Sequence, residues 1–539
     1  MRFHLRACSR AGAGAAGLAL TLSLASAGGA TPSDPARALA APHPAVRTSA
    51  RQMPKSRRPR TAPSCSGAIA SGTGAFDSTS EFGTNKSATA TFGGSNFAGA
   101  GYSGALEGSG NTICDYNSVI VGGNMDTIDS GSGNTPAGAA YSIIGAGVSN
   151  TISNSYSIIG AGTSNTISTS YSFIGAGTGN TVSNYESGIG AGATNTVSGY
   201  DSFVGSGIGN GLSGTVSYIG GGHNNSVAGH LSFVGAGYGN QVSGDGSFIG
   251  AGGDVTAALP NNQISGLDSF IGAGDENTVA ASEAVVGGGF SNSILNTGGA
   301  AGGQFGFVGG GYQNSIQPYV AGGGEYGVLA GGADNIVYGI AATIGGGVNN
   351  RANGEYATIP GGRNNNANGI GSFAAGTGAR ATANGTFVWS DNASTASLAA
   401  TGNYQFVARA SGGYTLYSNP GATVGVKLAA GSGTWASVSD RAAKTRIRPL
   451  DDAEVLAKVA ALPIESWQYR TEDARVRHVG PMAQDFYRAF GVGEDDRHIT
   501  SIDEDGVALA AIKALHSENV ALRAEIRGLE AKFASIRTH

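Results

Sequence analysis

Tyr141-Ser142-Ile143-Ile144-Gly145-Ala146-Gly147-Val148-Ser149-Asn150-Thr151-Ile152-Ser153-Asn154-Ser155 is one period of a repeat whose reading decides the fold of most of this 539-residue chain. Glycine returns every fifteen residues at Gly145, Gly160, Gly175, Gly190, Gly205, Gly220, Gly235 and Gly250, and asparagine keeps the same phase from Asn150 to Asn240. Two aliphatic columns run with them, Ile144-Ile159-Ile174-Ile189-Val204-Ile219-Val234-Ile249 and Ile152-Ile167-Val182-Val197-Leu212-Val227-Val242. Each period therefore holds two short β-branched segments, such as Tyr156-Ser157-Ile158-Ile159 and Asn165-Thr166-Ile167-Ser168, separated by residues that tolerate positive φ at turns. The predicted structure is one coil per repeat, each strand about 4.8 Å above its equivalent, so that serine, asparagine and aliphatic side chains form ladders along one axis. A fifteen-residue coil has little interior, and the aliphatic columns are expected to be better buried where copies of the chain pack together. Beyond Gly250 the steps to Gly272, Gly287 and Gly309 are 22, 15 and 22 residues, which predicts insertions of about seven residues emerging as surface loops.

Composition and spacing weigh against several function classes. Collagen needs glycine at every third position, which this chain lacks despite its 93 glycines. A calcium-binding nonapeptide roll needs a recurring aspartate where this repeat has asparagine. A flat hydroxyl ladder of the ice-binding kind would use Thr151, Thr166, Thr181 and Thr196, but it breaks at Gly211, Ser226 and Gln241. A glycan-cleaving head needs two carboxylates close together, and Glu186, Asp201 and Asp268 are sparse and tied to no common motif. Between Lys86 and Arg351 there is no lysine or arginine, so that part of the head has no basic patch for nucleic acid. Its Asn, Ser, Thr and Tyr suit contact with a neutral cell-surface glycan or a protein receptor as readily as inert spacing.

The N-terminus addresses the chain for export. Arg2, Arg6 and Arg10 precede an apolar stretch from Ala11 to Leu24, and Ala25-Ser26-Ala27 has the form of a signal-peptide cleavage site. The stretch is too short to span a bilayer, and no later segment is apolar enough to do so. We therefore expect a secreted or cell-surface protein with no transmembrane segment in the mature chain. The Pro-, Ala- and Arg-rich run that follows predicts a disordered linker. Once Cys8 leaves with the signal peptide, Cys65 and Cys114 remain, a candidate disulfide in an oxidising compartment.

The C-terminal hundred residues are of another kind. Ser439-Asp440-Arg441-Ala442-Ala443-Lys444 is followed by Trp467-Gln468-Tyr469, by His478-Val479-Gly480-Pro481-Met482-Ala483-Gln484-Asp485 and by Ala511-Ile512-Lys513-Ala514-Leu515. Asp451 and Glu454 form a capping box for a short helix with Val455, Leu456, Val459 and Leu462 on one face, stopped by Pro463. Ile512, Leu515, Asn519, Leu522, Ile526, Leu529, Phe533 and Ile536 step by three and four, a heptad seam with Asn519 as its polar a position. A serine hydroxyl becomes a nucleophile when a base takes its proton, and a desolvated lysine amine is such a base. Ser439 and Lys444 thus make a candidate catalytic dyad for cleavage between Val438 and Ser439, with His478 as a candidate assisting group.

Those blocks, in that order, resemble the intramolecular chaperone auto-processing peptidase domain found at the C-termini of phage tailspikes, endosialidases and myelin regulatory factor. The family pattern is Ser-Asp with Lys five positions after the Ser, then Gly-x-x-Ala-Gln, then Ala-Ile-Lys-x-Leu. Two positions depart from it: Arg446 stands where asparagine is usual, and Pro481 where an aliphatic residue is commoner. The resemblance implies a homotrimer, cleavage before Ser439 after assembly, and a single-turnover serine endopeptidase with no cofactor. Upstream, the Ser-x-x-Ile-Gly-x-Gly unit over Phe97 to Thr386 resembles the left-handed parallel β-roll of trimeric autotransporter adhesin heads.

The expected organisation is a mostly β chain: signal peptide 1–27, disordered linker 28–64, repeat β-roll head 65–390, β neck 391–438, small α+β chaperone domain 439–510 and coiled coil 511–539. The expected function is an exported tail-fibre or adhesin-like homotrimer whose chaperone tail aligns three chains and then cuts itself free. The alternatives are a surface adhesin that keeps its tail as a trimerisation cap, and a glycan hydrolase head. Neither cofactor nor metal is expected.

Overall fold

The computed structural model of the protein describes residues 96–98, 103–129, 141–255, 261–296, 302–318 and 323–537, and the backbone of the short strands Phe76–Asp77 and Thr89–Thr91. The expected signal peptide 1–27, the expected linker 28–64 and Cys65 lie outside the described residues, as do residues 256–260 and 297–301 of the two expected insertions. Cys114 is disulfide-bonded.

A parallel β-solenoid of about nineteen turns occupies residues 97–409. Each repeat contributes two strands, most of them two residues long, stacked in register on the repeats before and after it: Ile159 pairs with Ile174, and Ile167 with Val182. The longer steps keep the same phase, since Val242 pairs with Ile264 and Val286 with Val308. Turns tighten through glycines that cannot be replaced in place. Gly162 has φ 127°, and a Cβ there would lie 2.0 Å from the Gly177 carbonyl oxygen of the next coil.

Both aliphatic columns point inward and are fully buried within the single chain. The coil thus encloses its own narrow core, contrary to the expectation that packing between copies would bury these columns. It does so because inward positions are held to one Ile or Val per strand, roughly 1.5–3 kcal/mol each on burial. Ladders of polar side chains supply the remaining order. Asn165 donates from its side-chain amide to the Asn150 side-chain oxygen at 3.0 Å and to the Gly177 carbonyl at 2.8 Å, while its backbone N–H donates to the same Asn150 oxygen at 3.1 Å. The pattern repeats up to Asn365, and buried serines form a second ladder, as where Ser157 Oγ donates to Thr169 O at 2.9 Å.

One rung of the asparagine ladder is a carboxyl. Asp126 Oδ1 accepts from the Asn150 backbone and side-chain amides at 2.7 and 3.0 Å, whereas Oδ2 is buried without a hydrogen-bond partner. Burial pushes the Asp126 carboxyl above its ordinary pKa, more than the bonds from Asn150 lower it. On the outer face, Phe203, Tyr218, Phe233, Phe248 and Phe270 stack with ring centroids 4.9–5.6 Å apart.

The column continues past the last recognisable repeat. Phe373–Thr377, Phe387–Ser390 and Phe406–Arg409 pair in parallel, and Arg409 ties the end together through Asp391 Oδ1 at 3.0 Å, Ser390 Oγ at 2.7 Å and the Ala396 carbonyl at 3.0 Å. The Ser411 backbone N–H, and then Arg409, hold the Asp391 carboxyl at about 2. An antiparallel three-stranded sheet follows, Gly413–Tyr417, Gly425–Ala429 and Trp435–Ser437.

Three helices complete the chain: α1 (Asp452–Ala461), α2 (Ala483–Phe490) and α3 (Ser501–Arg537). Asp451 caps α1 through the Ala453 and Glu454 N–H groups, and Gly491 ends α2 in the left-handed region at φ 64°. Val455 of α1 packs on Ala510 and Ala511 of α3, with Phe490 of α2 against them. The last helix starts earlier than the Ala511 block suggests, because Thr500 caps it: Thr500 Oγ1 bonds both the N–H and the carboxylate of Asp503. No helix among the described residues is long and apolar enough to cross a membrane.

Candidate self-cleavage site

The site is built on the last strand of the antiparallel sheet. Ser437 pairs with Val426, and the Val438 N–H donates to the Gly425 carbonyl at 3.0 Å, so the backbone is anchored up to the residue before Ser439. A single 3₁₀ turn, Arg441–Ala443, comes next. Asp440 caps it by accepting the Ala442 N–H at 2.9 Å, and Lys444 leaves it in an extended conformation. A tight turn framed by extended residues folds position i+5 back onto position i. Lys444 Nζ accordingly lies 2.6 Å from Ser439 Oγ.

Both side chains are exposed in the single chain. Arg446, two residues on, sits at φ 54°, a left-handed conformation that asparagine adopts more readily than arginine. That backbone shape gives a physical reason for asparagine being usual at this position.

His478 has partners of its own. Its strand, His478–Gly480, pairs with Glu465–Trp467, which sets His478 opposite Trp467 with the rings 4.7 Å apart and stacked. Its Nε2 lies 3.0 Å from Glu472 Oε2, and Tyr469 closes the cluster edge-on at 5.7 Å while its backbone N–H donates to the same carboxylate. Among the described residues, neither Ser439 nor Lys444 is a polar partner of His478. Glu472 is the residue that reading along the chain misses. The signal lay in its place six residues before His478, across the turn of a hairpin.

No group of His, Cys, Asp and Glu able to hold a metal ion occurs among the described residues. Around the site, apolar side chains face outward: Trp435 is 53 % exposed and Val438 is 39 % exposed. The seam of α3, Ile512 through Ile536, is exposed along its length, and its polar rung Asn519 donates its side-chain amide to the Leu515 carbonyl at 2.8 Å.

No curated protein matches the chain. Residues 439–491, which begin at the candidate nucleophile and end at the cap of α2, match the family model described as chaperone of endosialidase, Peptidase_S74, so that a long parallel β-solenoid is followed here by a region of that family.

Proposed function

We propose that the protein is an exported, fibre-like homotrimer with an adhesin-type head, whose C-terminal domain aligns three chains, assists folding of the solenoid and then cleaves the Val438–Ser439 bond. The observation that carries this reading is the 2.6 Å contact between Lys444 Nζ and Ser439 Oγ directly after the sheet-anchored Val438. In the reaction, Ser439 Oγ attacks the Val438 carbonyl carbon as Lys444 accepts the hydroxyl proton. Lys444 returns that proton to the departing Ser439 nitrogen, the peptide C–N bond breaks, and water hydrolyses the Val438 ester to leave a carboxylate and a new N-terminus.

Assembly supports the timing. A lysine works as a base when it is shielded from water, and a single chain leaves both residues exposed. Three copies meeting through the apolar residues around the site and along the α3 seam would supply the shielding. The need for alignment is physical as well: solenoid strands can pair one coil out of step, and joined ends suppress that error. A Ser439→Ala chain that remains whole and trimeric while the native chain is cut is the result that supports the reading.

A further inference from the structure

The longest cation-free stretch of the sequence ends in a cluster of cations on one surface. Arg351 and Arg380 lie in the same strand column on either side of Asn366, because Arg351 pairs with Asn366 and Asn366 with Arg380. Arg363 sits in the adjoining column, paired with Thr377 and bridged to Val348. All three guanidinium groups line a groove of about 880 Å³, together with Asn349, Asn364 and Ser397. Arg351, Arg363, Asn349 and Asn364 also line a second groove of about 820 Å³ that reaches down to Ser293. The two adjoin through these four shared residues. From Ser293 to Arg380 the column climbs five strand spacings, on the order of 25 Å, which suits an extended polymer rather than a single small ion.

We propose that this groove binds an acidic polysaccharide, its carboxylate or sulfate groups held by Arg351, Arg363 and Arg380. None of the three arginines is ion-paired among the described residues, unlike Arg409, Arg475 and Arg488, which each hold an aspartate. Their planar forks match carboxylate and sulfate oxygens. Between them, Asn366 Oδ1 is buried without a hydrogen-bond partner. Most of the remaining lining is amide and hydroxyl, which pairs with sugar hydroxyl groups, while Ile336 and Val348 offer apolar contact. No aromatic side chain lines either groove, so the base-stacking platform of a single-strand nucleic-acid site is missing. Asp334 lies in the coil directly below Arg351, above those of Ser315 and Ser293, which confines the anionic groups to the arginine coils.

The test is calorimetric titration of the full chain with oligogalacturonate (carboxylate only), a heparin-derived octasaccharide (sulfate and carboxylate), neutral malto-octaose, inorganic sulfate and an oligo-dT. The assignment predicts binding of an acidic oligosaccharide, weakened by added salt, with neither malto-octaose nor sulfate alone bound. The two acidic probes show which acid group is preferred. Arg351→Gln and Arg380→Gln should each weaken binding about tenfold or more. Asn366→Asp, which leaves every arginine in place, should also weaken it, and unchanged melting of the head confirms that these outward positions are structurally neutral. The Ser439→Ala variant should bind like the native chain, so failure of the cleavage reading leaves this one standing. Absence of binding to both acidic probes, binding indifferent to the arginines, or equal affinity for oligo-dT would overturn it.

Discussion

Lys444 Nζ and Ser439 Oγ, five residues apart, are held 2.6 Å from each other by one capped 3₁₀ turn. The partner arrangement in the solenoid runs on the same logic at longer range: residues fifteen apart touch because the coil returns to the same place. Local turn chemistry thus sets both the candidate active pair and the ladders beneath it.

The ladder makes a strong prediction for a mid-solenoid rung. Asn195 donates to Asn180 Oδ1 and to the Gly207 carbonyl, and its own side-chain oxygen accepts from the Asn210 backbone and amide at 3.0 Å. Asn195→Leu strands those partners away from water, at a cost on the order of 3–5 kcal/mol. Because coils contact only their neighbours, the damage should be local. Hydrogen exchange should show loss of protection centred on residues 180–210, with distant coils unaffected.

Asp126 should behave in the opposite way. Asp126→Asn restores a donor where Oδ2 has no partner, and it should stabilise the head by on the order of 1–3 kcal/mol at pH 7. The direction of the pH dependence follows from the raised carboxyl pKa. A group that holds its proton more tightly when folded contributes stability that is full below its unfolded value of 3.8 and is lost as pH rises through the folded value. Only burial and the two bonds from Asn150 act on this carboxyl, so no charged neighbour confuses the assignment. Melting curves from pH 3 upward should fall for the native chain relative to the Asn variant, and parallel curves would refute the raised carboxyl pKa.

The third prediction concerns α3. Ile526 and Leu529 are 53 % and 46 % exposed in the single chain, on a helix of 37 residues that touches α1 only near its start. Ile526→Asp should convert an assembled species to single chains, read as the mass from sedimentation equilibrium. Retention of the native mass would show that α3 does not hold the copies together.

Much of this was legible in sequence because a strict period fixes register without knowledge of distant contacts. Asn150, Ile152 and Gly145 each mark a position in the coil, and the structure stacks each on its fifteen-residue equivalent. The period weakens after Asn365, whose ladder bond passes to Ala379 after fourteen residues, and the coils that end at Phe406–Arg409 rely on Val388 and Val407 without glycine or asparagine markers. In the tail, Ser439, Lys444 and the α1 cap were readable because each depends on residues within one turn. Glu472 against His478 was not, since it needs the pairing of Trp467 with His478. The arginine groove was hidden for the same reason: Arg351 and Arg380 are neighbours only once the coils are counted.

The most direct test is the intact mass and N-terminal sequence of the purified protein beside Ser439→Ala and Lys444→Met, each before and after heat denaturation. The account predicts that the native chain yields a C-terminal fragment beginning Ser439-Asp440-Arg441, and that both variants stay whole while keeping the assembled mass. Whole native chains under conditions where they are assembled, or cutting that persists in Ser439→Ala, would contradict it.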